Sequence, residues 1–306
     1  YWNVRGGGYM LFCWDTYFVA CMAALESKEL AYSNAIEITE EAAPAGFVPN
    51  DSRGNGFKSN DRSQPPVGSM AVKMLYRKFG DRWLVERLFP QLLTWNRWWP
   101  AHRDTGGLLC WGSTPCTPTV PGHSNAFSNI QFASMLESGL DNTPMYDEVP
   151  FDTNRHQMCM ADVGLTSMYI MDCDCLADCA ALLGRAAEEK ELRERGAAYR
   201  KALQSLWDES AGMFLNRRTD TGGLSPRTSP TNFYPLLAGA ATPEQARRMI
   251  EEHFYNPKKF WGEWIMPSIS RDDPGYADQM YWRGRIWAPM NFLVYLGLRN
   301  YPLDKA

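Results

Sequence analysis

Three carboxylates stand close together in Glu137-Ser138-Gly139-Leu140-Asp141-Asn142-Thr143-Pro144-Met145-Tyr146-Asp147, a stretch broken by Gly139 and Pro144. A turn of this composition aims side chains into a pocket, where a carboxyl can give or take a proton. The same residues suit a structural role: Asp141 or Thr143 can cap a following helix, with Pro144 at its first position. The pattern alone leaves both open.

Aromatic residues are the compositional outlier, with 12 Trp, 14 Tyr and 14 Phe. Several fall with Gly, Pro and carboxylates in expected loops rather than on helical stripes. Sugars suit such loops, because their axial hydrogens stack on indole rings while Asp, Asn, Gln and Arg engage their hydroxyls in paired hydrogen bonds. A single Trp is equally well explained as core filler.

Other chemistries find less support. Cys173, Cys175 and Cys179 suggest a metal, yet positions two apart on a helix point different ways, and no His lies near. These thiols read as small apolar filler, and the eight Cys as mostly reduced. His102, His123, His156 and His253 are scattered without ligand spacing, so no bound transition metal is expected. Gly6-Gly7-Gly8 lacks the dinucleotide spacing and no strand leads into a phosphate loop, so no cofactor is expected. Lys and Arg number 31 against 35 Asp and Glu, a net charge of -4. With no basic block, nucleic acid is an improbable partner. No apolar run reaches the roughly 18 to 20 residues that span a bilayer.

The elements that must position these residues are mainly helices. Apolar residues recur at three and four spacing through 17–38, 67–79, 83–99, 164–183, 188–207, 243–254 and 287–298. Pro65-Pro66, Asp81 and Thr242-Pro243-Glu244 open helices in this reading, and Gly80 and Gly184 close them. Between helix pairs a theme returns weakly in Gly46-Phe47-Val48-Pro49-Asn50, Gly107-Leu108-Leu109-Cys110-Trp111 and Gly212-Met213-Phe214-Leu215-Asn216. Paired helices with loops gathered at one end predict an all-α toroid, read as one domain over residues 1–306, with a site in its central funnel.

Phe12-Cys13-Trp14-Asp15-Thr16-Tyr17-Phe18, Gln64-Pro65-Pro66, the 137–147 stretch and Tyr281-Trp282-Arg283-Gly284-Arg285-Ile286-Trp287 follow one another in this order. In that order and type they resemble glycoside hydrolase family 63, with a related loop in the trehalase family, over nearly the whole chain. The resemblance implies an (α/α)6 toroid and an inverting exo-α-glycosidase, α-glucosidase-like, whose substrate is an oligosaccharide or small glycoside with a terminal glucose or related hexose. By the family's pattern Asp141 is the general acid. It must meet substrate protonated, with burial among aromatics and repulsion from carboxylates such as Glu137 raising its pKa. Trp14 and Asp15 would wall the cleavage subsite and hold a sugar hydroxyl, Gln64 would take another, and Glu137 and Asn142 would contact substrate. Tyr281, Trp282 and Trp287 would line the pocket, Arg283 would bind a hydroxyl or orient a carboxylate, and Trp111 would add a platform.

Inversion needs a second carboxylate roughly 6.5 to 9.5 Å from the acid. In the family this is a Glu downstream of the Tyr-Trp-Arg-Gly motif, whereas here the sequence runs only to Asp304-Lys305-Ala306. The resemblance therefore implies that the base and the last helices lie beyond Ala306, and that the true start precedes Tyr1. Glu263, among aromatics in Phe260-Trp261-Gly262-Glu263-Trp264, is the internal candidate, although it does not match the family position. A sugar-binding remnant without the base is the competing reading. A uronate lyase or epimerase is disfavoured by the scattered His.

Overall fold

In the computed structural model, residues 2–3, 8–116 and 128–302 are described; Tyr1, Gly6, Gly7, His123 and Ala306, named above, lie outside them. The apolar stripe through 17–38 is two helices rather than one, α1 (Cys13–Ala23) and α2 (Lys28–Glu40). Ser27 takes an extended backbone and its hydroxyl accepts from Leu30 N at 3.2 Å, starting a new helix. α3 (Gly68–Phe79) ends at Gly80 with φ +76°, and α4 (Arg82–Arg103) follows. Asp81 occupies the cap position of α4 but does not cap it. Its carboxylate is taken by Tyr32 Oη and Lys28.

Pro100 lies inside α4 and has no N–H to offer the Asn96 carbonyl one turn back. Tyr169 Oη donates to that carbonyl instead, at 3.1 Å. The short α5 (Gln131–Ser138) was not anticipated, since eight residues give the helical period little to repeat over. α6 (Val163–Leu183) is capped by Asp162, which accepts from Leu165 N at 2.7 Å, and stops at Gly184 with φ +73°. α7 (Ala186–Leu203), α8 (Tyr234–Leu237), α9 (Pro243–Arg248) and α10 (Ala288–Leu298) complete the helices. α9 opens on a reciprocal Thr242–Gln245 capping box and runs into a π-helical turn over Met249–Phe254.

The helices pair as α1 with α2, α3 with α4 and α6 with α7, and an inner series α1, α3, α6, α8, α10 packs each member on the next. The burial pattern separates the layers. α6 is buried nearly all round, as an inner helix must be, whereas α7 buries only Leu192, Gly196, Tyr199 and Leu203. About 52% of the residues are helical, and the architecture is the expected all-α, (α/α)6 toroid type. Cys173, Cys175 and Cys179 are buried on α6, and burial pushes their thiols up to about 12.

Strands are short and serve the loops. β1 (Trp2–Asn3), β2 (Gly8–Phe12) and β3 (Asp51–Arg53) form an antiparallel ladder pairing Phe12 with Asp51, so the chain entering α1 is fastened to the chain leaving α2. The weak repeat has a structural basis in two of its three copies. Gly107 (φ +82°) and Gly212 (φ +63°) end the loops of two hairpins, of two and four residues, whose preceding acid, Asp104 or Asp208, accepts a backbone N–H of the turn.

α10 meets α1 through the Phe18–Phe292 ring contact at 6.2 Å. Val19 and Met22 of α1, Leu25 in the turn after it and Tyr295 of α10 are exposed, and a cleft of about 680 Å³ opens between the far ends of the inner helices. Among the described residues, no helix is long and apolar enough to cross a membrane.

Candidate active site

The start of α1 forms the floor. The first N–H groups of a helix have no partner within it, and here Cys13 N donates to Asn50 O at 3.1 Å and Trp14 N to Gln64 Oε1 at 3.1 Å. Gln64, buried before Pro65-Pro66, thus fixes the N-terminus of α1 and with it the Trp14 indole. Asp15 follows in the same turn and stays open to solvent. Partial loss of hydration still pushes its carboxyl up, the helix N-terminus draws it partly back, and the nearby charge of Asp141 raises it again.

Asp141 leaves α5 through Gly139 (φ +70°), where a Cβ would come within 2.7 Å of the Trp14 ring. Acid loop and floor therefore touch where only Gly fits. Thr143 caps a 3₁₀ turn opened by Pro144, so the stretch combines the helix-cap role with a half-buried Asp141. Tyr281 Oη donates to Asp141 Oδ2 at 2.9 Å. Burial holds the Asp141 carboxyl above its ordinary range, while the Tyr281 hydroxyl and the positive charge of Arg62 pull the other way. Burial and Asp141 push the Tyr281 phenol up to about 12, so it remains a donor at neutral pH.

The 279–287 loop forms the far wall. Asn142 Oδ1 accepts from Trp282 N at 2.8 Å and Asn142 O from Arg283 Nη1 at 3.2 Å. Arg283 forks onto Asp147 at 2.8 and 3.0 Å and reaches Asp278 through Nε at 2.6 Å, so of its two anticipated roles it takes that of orienting carboxylates. Trp282 and Trp287 stack at 4.0 Å and 17°, Trp287 Nε1 donates to Tyr281 O, and Trp14 lies 6.0 Å from Trp282. Tyr281 itself has φ +53°, a left-handed conformation the surrounding contacts must hold.

Trp14, Asp15, Asp141, Asn142, Tyr281, Trp282, Arg283 and Trp287 thus come together, with Gln64 beneath. Trp14 and Trp282 are themselves buried, at 3% and 4% exposure, so against expectation they support the site rather than offer open walls, and Gln64 gives its Oε1 to the α1 backbone rather than to a sugar. Two further expectations need correction. Trp111 is 2% exposed and packs edge-on against Trp99, so it is core rather than a platform. Glu137 is fully buried and ion-paired with Arg103, so it neither reaches substrate nor repels Asp141; the neighbouring carboxylate is Asp15. Glu263 is exposed and, among the described residues, makes no hydrogen bond or ion pair. Sequence reasoning missed Arg62 and Arg103. The available signal was the density of polar residues between Pro44 and Pro66, too specific for a spacer: Asp61, Arg62, Ser63 and Gln64 are all buried.

An acid works in its protonated form, so activity should fall as pH rises through the raised pKa of Asp141. Tyr281→Phe removes a hydrogen bond that favours the carboxylate. It should therefore move the alkaline limb of kcat/KM to higher pH. A pH–rate profile checks this, and a limb that stays or moves down contradicts the assignment.

A family profile described as mannosylglycerate hydrolase MGH1-like glycoside hydrolase domain matches residues 8–305. Mannosylglycerate hydrolase MGH1 of Selaginella moellendorffii is 26% identical over 297 aligned residues, which cover 78% of this chain and 55% of that protein. The chain spans about half the length of this relative. A crystal structure of GH63 mannosylglycerate hydrolase from Thermus thermophilus in complex with Tris superposes with a TM-score of 0.78 at 21% identity, covering 95% of this chain and 81% of that one. Neutral trehalase Nth1 from Saccharomyces cerevisiae superposes with a TM-score of 0.74 at 20% identity, over 95% and 62%. At these identities the two structures establish a shared fold, and the profile match over nearly all of its length establishes that the chain belongs to the MGH1-like glycoside hydrolase family.

Proposed function

We propose that this chain carries the acid side of a glycoside hydrolase of the GH63 mannosylglycerate hydrolase type, cleaving a small glycoside with a terminal hexose by inversion. The carrying observation is the Asp141 carboxyl, desolvated and held by Tyr281, beside the charge of Asp15 and the stacked Trp282–Trp287 pair. Asp141 gives its proton to the glycosidic oxygen as the bond to the anomeric carbon breaks. Water then adds from the opposite ring face, losing its proton to a second carboxylate, and the anomeric configuration inverts. Asp15, Tyr281 and the half-buried Trp287 hold the sugar.

The mannosylglycerate hydrolase relatives favour a mannosyl glycerate over the α-glucoside first expected. The test is NMR of the first sugar released from mannosylglycerate, and from α-glucosides in parallel, by the protein as its source organism makes it. The inverted anomer is expected. The retained anomer overturns inversion, and binding without turnover overturns the enzyme in favour of a sugar-binding remnant.

A further inference from the structure

Glu137 and Arg103 have no side-chain exposure at all. An ion pair this deep is an inefficient source of stability, because the lost hydration of both charges offsets most of their attraction. Its connections suggest another purpose. Glu137 Oε1 accepts from Ser63 N at 3.0 Å and Arg103 Nη2 at 2.9 Å, and Oε2 from Arg103 Nε at 2.8 Å and Gly112 N at 2.6 Å. Arg103 Nη1 donates to His102 O and Thr114 Oγ1, both at 3.2 Å, Nη2 reaches Asp61 O at 3.4 Å, and the guanidinium lies 4.6 Å from the Trp98 ring centre.

One charge pair therefore fastens four stretches of chain: the end of α4, the end of α5, residues 61–63 and residues 112–114. Two of these lead straight into the site. Ser63 stands between Arg62, whose charge acts on Asp141, and Gln64, which holds the start of α1. Glu137 is on the last turn of α5, just before the loop bearing Asp141. The packing has no slack at this point, since a Cβ on Gly112 would come within 2.4 Å of His156 O and 2.8 Å of Arg103 Nε.

We propose that Arg103 and Glu137 are positioning residues that set the Asp141 carboxyl against the Arg62–Gln64 segment. The fork geometry does this better than an apolar contact, because two donors on a planar guanidinium and two backbone N–H groups constrain both oxygens of Glu137 in direction as well as distance. The proposal rests on Asp141 being the acid.

The experiment uses the natural polypeptide and its Arg103→Lys and Glu137→Gln variants, each checked for folding by its melting curve. Lys keeps the charge but not the fork, and Gln keeps the shape but not the charge. At least one folded variant should show kcat lowered about tenfold or more, KM within threefold, and the alkaline limb of kcat/KM displaced, with a matching displacement in the Asp141 carboxyl titration by ¹³C NMR. A purely structural pair would change the melting temperature and leave the pH limb and titration in place, which overturns the proposal. Failure of both variants to fold makes the pair a folding element and overturns it as well. An inactive wild type, or a wild-type rate that survives Asp141→Asn, would instead refute the underlying enzyme assignment.

Discussion

Asp141→Asn in the natural enzyme is expected to lower kcat on an unactivated glycoside by a factor of about 10² to 10⁴, the usual worth of a positioned general acid. KM should change little, since in the proposed site the sugar is held by Asp15 and the 279–287 loop rather than by Asp141. The amide keeps the hydrogen-bonding geometry at Tyr281 Oη but has no proton to give. Substrates whose leaving group departs without protonation should lose far less. Steady-state kinetics on a mannosyl glycerate and on an aryl glycoside check both halves of the expectation. Near-normal turnover of the unactivated substrate would remove Asp141 from the mechanism.

The largest expected effect on stability comes from Gly139→Val. A β-branched residue at φ +70° costs about 1 to 2 kcal/mol in the backbone, and forcing atoms against the Trp14 ring adds roughly 1 to 3 kcal/mol. Together these lower the melting temperature by on the order of 3 to 8 °C in a chain of this size. Gly80→Ala is the control. Gly80 has φ +76° with nothing within 4 Å of its Cβ position, so only the backbone penalty of about 1 kcal/mol applies. The Val variant should also lose sugar binding, because relief of the overlap must displace either Trp14 or the acid loop. Calorimetry and sugar titration on both variants separate the two contributions.

Much of the scaffold was legible because its signals are local. Gly80 and Gly184 mark helix ends through their left-handed conformation, Thr242-Pro243 marks a start, and the recurring Gly after an acidic turn marks a hairpin; each depends on a few consecutive residues. The break between α1 and α2 was missed because Ser27 interrupts the backbone without interrupting the apolar period. In the candidate site, residue type and order singled out Asp141, Tyr281, Trp282 and Arg283, which the structure brings into contact with one another or with Asn142. Glu137 and Arg103 were misread or missed for one reason: a charged side chain reads as exposed until its partner is known, and these partners come from other elements. Arg62 was missed although its ion-pair partner, Asp61, is adjacent, because the burial of the whole stretch is set by the surrounding fold. Glu137 meets Ser63 across 74 positions and Arg103 across 34. Trp111 failed similarly, since its Gly-Ser context resembles a loop while Trp99, one helix away, takes it into the core.

The pocket is also a late product of folding. Tyr281 and Trp282 reach Asp141 and Asn142 across 140 positions, and Trp14 finds its opposing indole only when the 279–287 wall has docked. Closing loops of that length carries an entropic penalty before any contact rewards it, so during synthesis the N-terminal hairpins can pack while the sugar site does not yet exist. Binding at the proposed sugar site would then report docking of the 279–287 segment, and a nascent chain stopped before residue 279 carries the Asp141 loop without the contacts that hold it in place.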